Sequence, residues 1–146
     1  MTINLGAFAP IDSVCLEIRQ PDGVTGTGWF VDVLSSAHDK AVAYSTASTN
    51  RSLRRQAQLE AQQANGRKVK PEERTPDEVR AENLAFVASR LGGWDPITVP
   101  ELGGDLPFSD ENVVRLLGLP KYGWVYLQII EFLGDERNFT PASAKT

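Results

Sequence analysis

Ser13-Val14-Cys15-Leu16-Glu17-Ile18-Arg19 places apolar side chains at Val14, Leu16 and Ile18 between polar ones, the two-residue period of a half-buried strand. Pro21-Asp22-Gly23 follows as a turn, in which proline presets φ and glycine accepts φ > 0. A second strand is expected from Gly28 to Leu34, with Trp29, Val31 and Val33 on one face, which leaves a long hairpin loop from Gln20 to Thr27. Two strands alone are marginal in water, so this hairpin must pack on helices or pair with another chain. Cys15, in mid-strand, is expected to be a buried and inert thiol.

Past the hairpin the character changes. Residues 41–64 are rich in Ala, Ser, Thr, Gln and Arg, and 52–64 read as a helix of good formers whose only large apolar residues are Leu53 and Leu59. Such a helix is expected to be exposed, or ordered against a partner. Asn65-Gly66 stops it, and 67–74 reads as a polar linker. Thr75-Pro76-Asp77-Glu78 is a helix start with a capping threonine, proline in the first turn and a capping-box glutamate. That helix is expected to reach Leu91 with an apolar stripe of Val79, Phe86, Val87 and Leu91, ended by Gly92-Gly93. Ile97-Thr98-Val99 reads as extended and Gly103-Gly104-Asp105 as a turn. Ser109-Asp110-Glu111 opens a helix that stops at Gly118. A last helix from Lys121 to Leu133 puts Tyr122, Val125, Ile129, Ile130 and Leu133 near one face. The fold class expected is α+β: an N-terminal β-hairpin region (1–40), an exposed polar helix with a basic linker arm (41–74), a C-terminal three-helix unit (75–139) and a flexible tail (140–146).

Composition works mainly by exclusion. The 146 residues are 41% hydrophobic and 23% charged, the profile of one folded domain with an appended arm. A net charge of -4 disfavours a surface made to grip nucleic acid. The uncharged run from Tyr122 to Ile130 is about half a membrane span, and residues 1–10 hold no Lys or Arg, so neither a span nor a leader is expected. One Cys and one His allow no disulfide within the chain and no cysteine metal cage.

Each candidate chemistry has a plainer competitor. Gly23, Gly26 and Gly28 have the order G-x-x-G-x-G before a strand, which fits a hairpin loop and not a phosphate cradle opening a helix. Asp110-Glu111 and Asp135-Glu136 sit at helix ends, where dipole and solvent explain them without acid–base catalysis. His38-Asp39 reads as surface decoration. No enzyme, metal or cofactor is therefore expected. The segment 51–74 holds seven basic residues, among them Arg51, Arg54 and Arg55, against three acids; that local +4 leaves -8 for the rest. A solvated arm or a protein-binding arm is expected there, and with no aromatic in it, stacking on single-stranded nucleic acid is not supported. The late aromatics are mostly core, but Trp124 and Tyr126 fall off the best stripe of the last helix. With Phe139 and the three arginines they are the candidate partner contacts.

Trp94-Asp95, the turn at Gly103-Gly104, Leu106-Pro107-Phe108-Ser109-Asp110-Glu111-Asn112 and the ending Gly134-Asp135-Glu136-Arg137-Asn138-Phe139 together resemble a group of small tailed-bacteriophage proteins, the tail assembly chaperones and related tail-morphogenesis factors. The likeness runs well from Trp94 to Phe139 and loosely from Val14 to Val33, with 41–74 unmatched. The resemblance implies a non-enzymatic protein in the host cytoplasm during infection, binding the apolar helical tape-measure protein and recruiting tail-tube subunits, with homo-oligomerisation left open. Many tail assembly chaperones are nearly all helical. The hairpin therefore keeps open a structural virion protein of the tail or head–tail connector, and the basic arm a nucleic-acid-binding regulator.

Overall fold

The alternation at the N-terminus produces the hairpin expected of it. In the computed structural model, which describes residues 2–66 and 74–141, β1 (Ser13–Arg19) pairs antiparallel with β2 (Gly26–Leu34), Val14 opposite Val33 and Ile18 opposite Trp29. The loop is tied by Asp22, whose carboxylate accepts from the Val24 and Thr25 N–H groups at 2.9 Å and from the Thr25 hydroxyl at 2.7 Å. The register breaks after Ile18, and Gly28 at φ 78° lies in the break. The glycine-rich order thus serves a bulged hairpin.

Two of the helices start where their caps predict. Thr75 caps α2 (Pro76–Ser89) by accepting from Glu78 N–H at 3.2 Å, and Ser109 caps α3 (Asp110–Leu117) by accepting from Asn112 N–H at 3.0 Å. Between them run the short antiparallel strands β4 (Ile97–Val99) and β5 (Gly104–Leu106), turned by Gly103 and Gly104 at φ 93° and 111°. The last helix, α4 (Gly123–Leu133), follows a 3₁₀ turn at Pro120–Tyr122. No helix among the described residues is long and apolar enough to cross a membrane.

Three expectations need correction. The first is the end of α2. It stops at Ser89, and Leu91–Trp94 is a strand, β3, pairing with β2 to give the order β1-β2-β3. Glycines at 92 and 93 disfavour a further helical turn, and the open side of β2 supplies the hydrogen bonds instead. The expected stripe splits accordingly: Val87 and Leu91 are fully buried, whereas Val79 and Phe86 are 41% and 38% exposed, with Leu84 and Ala88 facing inward.

The second correction is the exposure of the polar helix. α1 (Asp39–Ala64) has His38 as its cap, and its first turns dock on the rest of the fold. Ala41 is buried, the Tyr44 ring lies 6.3 Å from Phe86, and Lys40 Nζ donates to Leu91 O at 2.7 Å and Asp110 at 2.6 Å. Docking of this first stretch overrides the modest helix propensity of Ser45, Thr46, Ser48 and Thr49. Beyond it α1 buries no residue. The third is Cys15, which is exposed because Val14, Leu16 and Ile18 take the inner face. Desolvation and the carboxylates of Asp32 and Asp95 push its thiol above the ordinary value. The basic linker at 67–73 and the tail at 142–146 lie outside the described residues.

The hairpin and the helices share one core. Ile18, Val31 and Val33 meet Val87 and Leu91, Val113 and Leu116 of α3, and Val125 and Ile129 of α4. The projecting half of α1 adds nothing to it. Replacing 51–74 by a short Gly/Ser linker is expected to keep a single cooperative unfolding transition and cost about 1 kcal/mol, the scale of lost surface contacts such as Arg74–Glu82. Urea unfolding followed by circular dichroism checks this; loss of the transition would place the segment in the core.

Candidate partner-binding groove

Helix α2 and the start of α4 flank an open space that neither fills. Pro76, Val79 and Leu84 from α2, Leu117 from the end of α3, Leu119 and Pro120 from the connection, and Tyr126 from α4 line an open cavity of about 550 Å³. Pro76 and Leu84 are eight residues apart on α2, so the α2 wall is about two helical turns long, with Pro76 and the part-exposed Val79 about one turn apart, a spacing an incoming amphipathic helix can match. Arg74, Arg80 and Asn83 supply the polar rim. Arg80 donates to the Gly118 carbonyl and Arg74 pairs with Glu82, so both guanidiniums are held along one side.

The far rim is fixed by Glu101. Its carboxylate bridges Lys121 Nζ and the Tyr122 hydroxyl, at 2.8 Å in the second case, and these bonds hold its pKa down to about 2. The turn that carries Pro120 into α4 is thereby tied to the connection between β4 and β5.

The candidate contacts separate. Tyr126 is half-buried and lines the groove; Trp124 is half-buried against the core, 6.4 Å from Tyr122. Phe139 is 0% exposed, stacked edge-on to Phe132 at 5.7 Å and beneath the Arg90 guanidinium at 5.7 Å, so it presents no surface to a partner. Its place at the end of a short 3₁₀ turn, Glu136–Phe139, folds it back under α4. Arg51, Arg54 and Arg55 sit at i, i+3 and i+4, one side of the projecting half of α1; Arg51 lies 6.0 Å over the Tyr44 ring. The structure does not bring them to the groove.

Sequence reading missed Val79, Leu119 and Pro120 as groove residues. The helical periodicity assigns Val79 to the core stripe, and only its exposure shows otherwise. It also missed Arg90, 6% exposed, whose Nε donates to Leu34 O at 2.8 Å and whose Nη2 has no partner among the described residues. Burial lowers its pKa, with Glu136 opposing. His38 is a capping residue: its Nδ1 accepts from Lys40 N–H at 3.1 Å, which accounts for the imidazole without a proton relay. Asp110 and Glu111 occupy the first turn of α3, and Asp135 caps the last 3₁₀ turn and pairs with Arg137 at 2.9 Å. Among the described residues no three His, Cys, Asp or Glu side chains gather as a metal site. Searches against family models, curated proteins and solved structures find no match.

Proposed function

We propose that this chain is a non-enzymatic phage tail morphogenesis factor, a tail assembly chaperone whose α2–α4 groove holds an apolar helical segment of the tape-measure protein while tail-tube subunits are recruited. The carrying observation is the groove itself: an apolar wall about two turns long, open to solvent and rimmed by Arg74 and Arg80. The resemblance of residues 94–139 to tail-morphogenesis proteins supplies the class of occupant. The chain's net charge of -4 favours solubility of a complex with an apolar partner in the host cytoplasm.

Co-expression with a phage tape-measure protein tests the reading. Copurification is expected, and Val79→Glu is expected to weaken it at least tenfold while leaving thermal unfolding within about 1 kcal/mol, because the site is already part-exposed. Equal binding by wild type and variant would sink the proposal.

A second reading, a structural virion protein, is favoured by one observation. The N-terminal arm exposes Ile3, Leu5 and Phe8 at 76%, 76% and 59%, an apolar surface suited to contacts between subunits. Mass spectrometry of purified particles separates the two, since a chaperone leaves before maturation and a component stays at stoichiometric level.

A further inference from the structure

We propose that the outer edge of β1 receives an extended basic segment of a partner protein as a fourth strand. β1 is an outer strand of the sheet. The N–H and C=O of a strand residue point to one side, and successive residues alternate. Even-numbered residues face β2: Asp12 O accepts from Ser35 N–H at 2.9 Å and Gln20 N–H donates to Thr25 O at 2.7 Å. Odd-numbered residues face away. Ile11 N–H donates to Phe139 O at 2.9 Å, and the side-chain amide of Gln128 closes on Arg19, accepting from its N–H at 2.7 Å and donating to its C=O at 2.8 Å. Between these two clamps, Ser13, Cys15 and Glu17 direct three N–H and three C=O groups outward. All three residues are exposed, and no described residue outside the hairpin bonds to those groups.

An unpaired edge is a template for strand addition unless something blunts it. Here the clamps hold both ends and leave the middle open, over a length that about five extended residues would fill at roughly 3.3 Å each. A cavity of about 570 Å³ lies at its Leu16–Arg19 end, with Leu16 and Phe132 as apolar wall. Its charge selects the occupant. Glu17, Glu131 and Asp135 line it against one cation, Arg19. Asp135 is held by Arg137, but among the described residues Glu17 and Glu131 form no ion pair. A segment alternating basic and apolar residues would satisfy the edge, the wall and the carboxylates together. A second copy of β1 would instead bring its own Glu17 and acidic wall into the same space. This site uses no residue of the α2–α4 groove, so its failure would leave that reading intact.

The test is amide hydrogen exchange by NMR on the full chain, with an eight-residue peptide alternating lysine and valine and a control alternating glutamate and valine. The basic peptide is expected to slow exchange at Ser13, Cys15 and Glu17 at least tenfold, while the control has no effect. Glu17→Lys combined with Glu131→Lys is expected to weaken binding at least tenfold, as is N-methylation of alternate peptide bonds. Equal protection by both peptides, or protection confined to other residues, would overturn the proposal. So would protection of the edge without peptide accompanied by dimerisation and a Cys15–Cys15 crosslink on oxidation, which would make the occupant a second copy. Protection lost on removing 142–146, again without peptide, would make it the chain's own tail.

Discussion

Phe139→Ala is expected to lower stability by about 3–5 kcal/mol, the range for emptying a fully buried phenylalanine site. The ring does more than fill volume. It packs edge-on against Phe132, and it forms one face of the cover over the Arg90 guanidinium, with Phe86 at 6.0 Å contributing another aromatic contact. Removing it leaves a cation that is already desolvated, with one nitrogen unpartnered among the described residues, beside an empty space. Domains of this kind have a net stability of about 5–15 kcal/mol, so the loss is a large share of the total. Thermal and urea denaturation measure it, with Phe139→Leu as the milder companion. A loss under about 1 kcal/mol would mean that the 3₁₀ turn detaches without consequence and that Phe139 is available to a partner after all.

What the sequence made legible was local. Alternation at Val14, Leu16 and Ile18 marked β1 correctly because a strand with one buried face shows its period directly. Thr75 and Ser109 marked helix starts because a cap acts on an N–H two or three residues away. Ile97 to Val99 and the Gly103-Gly104 turn were read from residue type alone. What stayed hidden depends on residues far apart in the chain. His38 gains its role from a helix whose early docking partners lie in α2, β3 and α3. The groove is assembled from residues as distant as Pro76 and Tyr126, none of which carries a chemical signature by itself. Phe139 looks like an anchor in a polar ending, and only the tertiary fold turns it inward.

Leu91 is where local and distant evidence compete most directly, and it yields the second large effect. On a helical stripe Leu91 and Val79 would share one face, and truncating either would open the same kind of cavity. In the sheet they part: Leu91 is 0% exposed, paired with Val33 on β3, while Val79 is 41% exposed in the groove. Leu91→Ala is therefore expected to cost about 2–5 kcal/mol. It also places a poorer strand former beside Gly92 and Gly93, in a strand only four residues long. Val79→Ala is expected to cost under about 0.5 kcal/mol, since little transfer energy is lost and alanine is the better helix former. The contrast between the two is more informative than either value, because errors in the unfolded reference largely cancel. Equal losses in urea unfolding would restore the helical reading of Leu91. A large difference would fix β3 as the strand that closes the sheet opposite the β1 edge, where α2 hands the chain back to the hairpin through the Leu34 N–H to Arg90 O bond at 2.7 Å.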